Sequence, residues 1–186
     1  MSWIKMIDEN EANGRLKEVY KKITGPKKSK VANVLKVQSL NAKILDAHLG
    51  LYKSIMYGKS NLTRRQREMA AVIVSKANEC HYWIKHHGAA LQKLIKDKEK
   101  GKKLVEDLIQ NYQKAEITER EKAMLRYAKK LSKKPSSLSK EDIKKLKEFN
   151  LSDRDILDLN QVTAYFNYVN RTADGLGIEL EEKYKD

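Results

Sequence analysis

Three of the four histidines of this 186-residue chain fall within seven residues, in Asn78-Glu79-Cys80-His81-Tyr82-Trp83-Ile84-Lys85-His86-His87-Gly88, beside its single cysteine. A thiol and imidazoles at this density could serve thiol redox chemistry, proton transfer or metal ligation. With Asn78 read as a helix cap, Cys80 sits in a first turn, where unpaired amides and the helix dipole favour a thiolate. At about 100° per residue, positions 80, 83, 87 and 91 span about 80° of arc, so Cys80, Trp83, His87 and Leu91 share a face while His81 and His86 point elsewhere. Tyr82 either lines the same pocket or simply packs. Upstream, Glu68 shares its helical face with Ala71, Val72 and Ser75. Its carboxylate is therefore expected to be partly buried and to need a partner. No basic residue stands at the next helical positions on that face, so the expected partner comes from another helix: His87, or the indole N–H of Trp83.

The same residues narrow the chemistry. A lone Cys80 excludes a disulfide framework, a zinc knuckle or an iron-sulfur cage built from one chain, and such low cysteine usage fits a reducing cytosol. A metal site is disfavoured because Cys80 and His87 are seven residues apart and no HExxH pattern is present. His48 reads as a satisfied core or interface histidine rather than a ligand. No metal or cofactor is expected.

Helices must position these groups. Only 2 Pro and 8 Gly interrupt a chain rich in Leu, Lys, Glu and Ala, which predicts an all-α fold. Four helix starts repeat one local chemistry, Thr63 to Gln66, Thr118 to Glu121, Ser139 to Asp142 and Ser152 to Asp155, each a hydroxyl three residues before an acceptor side chain. From these starts, helices are expected at 9–23, 32–38, 41–57, 64–77, 80–96, 98–113, 119–132, 140–149 and 153–173. Gly25-Pro26, Gly58, Gly101 and Lys134-Pro135-Ser136-Ser137 are read as interruptions. The last helix sets Ile156, Leu159, Val162, Phe166, Val169 and Ala173 on a core face. Beside it run Asn167, Asn170, Arg171 and Asp174, a polar stripe expected to form an interhelical or intersubunit hydrogen-bond network.

The balance of 39 Lys and Arg against 25 Asp and Glu gives a net charge of +14. Because it is mostly Lys interspersed with acids, it reads as solvated surface rather than a nucleic-acid footprint. No secretory leader is visible, and the longest strongly apolar run, Met69 to Val74, is far below the roughly 20 residues of a membrane span. A cytoplasmic protein with no nucleic-acid and no membrane partner is expected.

The segments Ala32-Asn33-Val34-Leu35, Ser39-Leu40-Asn41, Ala47-His48-Leu49-Gly50-Leu51-Tyr52, Arg67-Glu68-Met69-Ala70-Ala71-Val72, Asn78-Glu79-Cys80-His81-Tyr82 and Tyr165 through Gly177 together resemble the peroxidase-related branch of the alkylhydroperoxidase D-like and carboxymuconolactone decarboxylase family. The resemblance implies a single helical domain over 1–186, its N-terminal helix 9–23 packing on a core at 31–178, assembled as a homo-oligomer. It also implies an antioxidant oxidoreductase with peroxiredoxin activity. The family motif is a Glu, then twelve residues on a CxxCxxxH. Glu68, Cys80 and His87 match it, and Trp83 stands where the second cysteine belongs. In the family's proton relay, Glu and His draw the proton from that second thiol, which attacks the peroxide before the first thiol closes a disulfide.

Losing that thiol leaves several readings open. Cys80 could react and be recycled by an external thiol reductant or another subunit. The chain could be a catalytically inactive binding or structural member. It could instead be a decarboxylase-like acid/base enzyme in which Glu68 and His87 transfer protons on a small-molecule substrate and Trp83 forms an apolar wall. Glu68, Cys80 and His87 are taken as the candidate site, shaped by Trp83 and Tyr82.

Overall fold

The computed structural model describes residues 2–25 and 30–184, and no strand occurs among them. Pro26, part of the expected Gly25-Pro26 break, lies outside the described residues. Among the described residues, nine α-helices follow one another: α1 Gly14–Thr24, α2 Asn33–Lys36, α3 Ala42–Tyr57, α4 Arg64–Ala77, α5 His81–Lys93, α6 Lys98–Asn111, α7 Glu119–Lys133, α8 Lys140–Glu148 and α9 Asp153–Gly175. Short 3₁₀ turns at Pro135–Ser137 and Glu182–Tyr184 complete the list.

Two compact units divide the chain. The first comprises residues 1–54 and 171–186. Its core gathers Ala12, Leu16, Val19, Tyr20, Val31, Leu45 and Leu49. The first helix begins five residues later than its expected start at 9, because Asp8 to Glu11 close a turn of their own and Gly14 takes a φ of +46°. That left-handed value is cheap for glycine and breaks a helix arriving from upstream.

The second unit, residues 55–170, is organised around α4, which packs against α5, α6 and α7, while α7 packs on α8. Every residue from Arg67 to Ser75 is buried, the mark of a central helix rather than an amphipathic surface one. Hydroxyl caps set its neighbours. Thr63 accepts from the Gln66 amide at 3.2 Å while Gln66 Oε1 accepts from the Thr63 N–H at 3.0 Å. Thr118 with Glu121 and Ser152 with Asp155 repeat that exchange. Each such cap is worth about 1 kcal/mol.

Two departures from expectation shape the junction of α5 and α6. α5 stops at Lys93 rather than 96, because Leu94 and Ile95 bond three residues back, to Leu91 and Gln92, and Asp97 then caps α6 through the Lys100 amide at 3.1 Å. Gly101, read as an interruption, is instead a buried residue inside α6. A Cβ there would meet the Gln92 carbonyl at 3.2 Å, so glycine allows α6 to close on the end of α5.

Candidate functional site

The turn between α4 and α5 fixes the cysteine through its backbone. Asn78 ends α4, Glu79 adopts a left-handed φ of 61°, and the amides of Glu79 and Cys80 return to the Lys76 and Ser75 carbonyls at 3.2 and 2.9 Å. This is a Schellman ending, with Glu where glycine is usual. Cys80 is consequently the N-cap of α5, with φ −81° and ψ 96°, just outside the first turn in which it was expected. Asn78, expected to cap α5, instead donates its side-chain amide to Asn167 Oδ1 at 3.0 Å and Asn170 Oδ1 at 2.9 Å on α9. Asn170 also donates to Ser75 Oγ at 3.3 Å and Asn167 to Ser132 Oγ at 2.9 Å. That half of the polar stripe is an interhelical network, while Arg171 and Asp174 are exposed.

Cys80 is 0 % exposed, and its Sγ lies 3.9 Å from the Asn170 carbonyl, as a thiol donor would. Such a sulfur behaves as a small hydrophobe, not a nucleophile. If exposing it requires an opening of about 4 kcal/mol or more, alkylation at neutral pH is expected on the order of 1000-fold slower than for free cysteine. A time course with an aromatic disulfide reagent, native against denatured protein, measures this. Labelling faster than free cysteine would refute an inert Cys80.

Glu68 and His87 are brought together. The Glu68 carboxyl is 0 % exposed and His87 is 4 % exposed. His87 Nδ1 stands 2.5 Å from Glu68 Oε2. A carboxylate can only accept, so Nδ1 carries the proton, and in the neutral ring Nε2 is left as the basic atom. That Nε2 is buried and has no hydrogen-bond partner among the described residues. The imidazole is held between aromatic rings: Trp83 stacks on it at 5.0 Å and 23°, and Phe166 of α9 meets it edge-on at 4.5 Å and 79°.

Trp83 does not supply Glu68 with a donor. Its indole N–H goes to the Val169 carbonyl at 2.9 Å, which satisfies the indole on α9 and turns its face to His87. Tyr82 is buried, edge-on to Trp83 at 5.4 Å and stacked on His86 at 4.3 Å. His81 is exposed. Among the described residues, no three His, Cys, Asp or Glu side chains gather as metal ligands.

Sequence reading missed Arg64. Its Nη2 is 2.5 Å from Glu68 Oε1, an i,i+4 ion pair. Oε1 makes no aligned hydrogen bond, so the link is a charge contact. The cation stands one turn upstream of Glu68 rather than downstream, where a helical net places it equally well.

The comparisons with known proteins bear on this arrangement. Residues 42–105 match the carboxymuconolactone decarboxylase family. A peroxidase-related protein from Silicibacter sp. TM1040 is 31% identical, with a TM-score of 0.86 over 98% of this chain and 93% of that one. The alkylhydroperoxidase AhpD core protein from Ralstonia eutropha JMP134, also peroxidase-related, is 27% identical, with a TM-score of 0.86 over 98% and 94%. The debrominase Bmp8, solved with 2,3,4-tribromopyrrole, is 19% identical, with a TM-score of 0.77 over 98% and 95%, a likeness of fold. No curated protein sequence matches.

Proposed function

The chain belongs to the peroxidase-related branch of the alkylhydroperoxidase D-like and carboxymuconolactone decarboxylase family, and we propose that it works as a proton-transfer protein in which the two-thiol peroxidase cycle is disabled. His87, oriented by Glu68, gives and takes a proton at Nε2 on a small organic substrate. The observation that carries this reading is the buried, unpartnered Nε2 opposite a carboxylate-bound Nδ1. Leaving a buried polar atom unpaired costs about 1–3 kcal/mol, a cost that a ligand at that atom would remove. Trp83 and Phe166 supply apolar walls. The substrate class is a small carboxylated lactone, a choice supported by the family match over residues 42–105, which contain Glu68 and His87.

The test is decarboxylation and solvent-deuterium incorporation across such lactones. Cys80→Ser should retain the activity, and His87→Gln should lose about 10²- to 10⁴-fold, the usual contribution of a positioned acid/base group. Loss in Cys80→Ser would overturn the reading.

One observation favours a second reading, a redox role for Cys80 with an external thiol reductant: the residue stands at the N-cap position of α5, and a helix N-terminus favours a thiolate. There the thiolate attacks a hydroperoxide, the O–O bond breaks, sulfur becomes a sulfenic acid and the alcohol leaves; two reductant thiols then restore the thiol and release water. Native hydroperoxide turnover with dimedone-trapped Cys80 would establish it and remove the first. Assembly as a homo-oligomer belongs to the proposal; the exposed stripe of Leu40, Ile44 and Leu51 is an apolar surface that assembly could bury.

The membrane expectation concerns α-helices alone: among the described residues none is long and apolar enough to cross a bilayer.

A further inference from the structure

Arg64 is in the wrong place for helix stability. It is the first residue of α4, after the Thr63 cap, and that first turn holds no acidic residue. A cation there opposes the helix dipole. An Arg–Glu pair at i,i+4 also has the less favourable order, since the acid should precede the base. Local preferences that a sequence overrides tend to mark functional positions. The guanidinium is nevertheless tightly held. Nη1 donates to the Met56 carbonyl at 2.9 Å, Nη2 lies 3.1 Å from the Tyr57 hydroxyl, and the group sits 3.9 Å over the Tyr57 ring. The Met56 carbonyl is one of the four that the end of α3 leaves without a helical partner, so a fixed feature of the fold anchors the arginine. Its side chain is 24 % exposed against 0 % for Glu68.

We propose that Arg64 is the positioning residue of the His87 site: its charge, 2.5 Å from Glu68 Oε1, balances the Glu68 carboxylate so that His87 stays neutral, with its proton on Nδ1 and its lone pair on Nε2. The charge count supports this. Arg64 cation plus Glu68 anion sum to zero, and a third charge on His87 would leave a net cation among buried aromatic rings, at a desolvation cost. Without Arg64, the same carboxylate is balanced only by a proton, carried as imidazolium on His87 or as an acid on Glu68. In the first case Nε2 gains a hydrogen; in the second Glu68 ceases to be acceptor-only and no longer dictates the tautomer. Either outcome removes the uniform basic Nε2. Arg64 thus acts on the chemistry through Glu68 and His87, not by touching the reacting atoms.

The inference rests on the proton-transfer reading, and the experiment separates the two. Long-range ¹H–¹⁵N spectra report the protonation of each His87 ring nitrogen with no substrate present. At pH 7.5 the native chain and Arg64→Lys should show one neutral form, protonated at Nδ1. Arg64→Met should lose that signature, showing an imidazolium or mixed tautomers, with unchanged far-ultraviolet circular dichroism. Should Arg64→Met not fold, Arg64→Gln, which keeps a donor for Met56, gives the same readout. A native signature in the neutral variant would overturn the positioning role. If the signature depends on Arg64 but no lactone turns over, the functional reading fails and the positioning role stands. If a lactone does turn over, Arg64→Met should lower kcat with little change in KM, and Arg64→Lys should rescue it.

Discussion

Trp83→Cys is expected to turn over hydroperoxides well above the level of the native chain. The substitution restores the second thiol of a CxxCxxxH pattern one turn before His87, in the space of an indole now stacked on that imidazole at 5.0 Å. The new thiolate would attack the peroxide, releasing an alcohol and becoming a sulfenic acid. Cys80, three residues before it at the α5 cap, would then displace water to form the disulfide that an external thiol reduces. Stability should fall by about 3–5 kcal/mol, the range for emptying a buried tryptophan site, and loss of the indole bond to the Val169 carbonyl belongs to that sum. Trp83→Ala opens the same cavity without a thiol and separates space from chemistry. Peroxide consumption coupled to a dithiol reductant should appear in Trp83→Cys and stay at background in the native chain and in Trp83→Ala. Turnover in Trp83→Ala would mean that Cys80 alone suffices once a peroxide can enter. No turnover in any of them would mean that the barrier is not the missing thiol.

What could be read from the sequence follows from how local the causes were. The caps at Thr63, Thr118, Ser139 and Ser152 depend on atoms three residues apart, and the helices they start begin where expected. The start of α5 was displaced because its determinant is a left-handed Glu79, a conformation that no pattern signals when the residue is not glycine. Asn78 has the chemistry of a cap, but α9, some ninety positions away in sequence, competes for its amide. The Glu68 to His87 link was legible, since a buried carboxylate requires a partner and an aromatic-flanked histidine faced the same space. Arg64 was legible too, one turn upstream, and was missed by direction of search. The indole's acceptor was not: only the packing of α9 against α5 decides that Val169, rather than Glu68, receives its proton.

His48 makes a second large effect, at acid pH. This α3 residue is buried, and Nδ1 meets Gln38 Oε1 at 2.9 Å. The Gln38 amide N–H₂ is itself tied to the Val34 carbonyl at 2.8 Å, so Gln38 presents its oxygen and the ring donates. Burial pushes the His48 pKa down from 6.5 to about 4, because the charged ring would lose its hydration. Between these values the unfolded chain binds a proton that the folded chain refuses, so stability falls as pH drops from 6.5 towards 4 and the contribution is complete above 6.5. A shift of this size corresponds to about 3 kcal/mol over the full window, and about 2 kcal/mol between pH 6.5 and 5. Carboxylates with lowered pKa values, among them Asp46, Asp142 and Glu9, lose their stabilisation in the same direction, though mainly below pH 5. Urea unfolding at pH 7.5, 6.5, 5.5 and 5 therefore isolates the histidine when compared with His48→Asn, which keeps a donor near Gln38 but cannot titrate. The native chain should lose about 2 kcal/mol more than the variant between pH 6.5 and 5. Equal slopes in the two proteins would mean that His48 is accommodated as a cation in the fold, against the burial and the donor geometry around it.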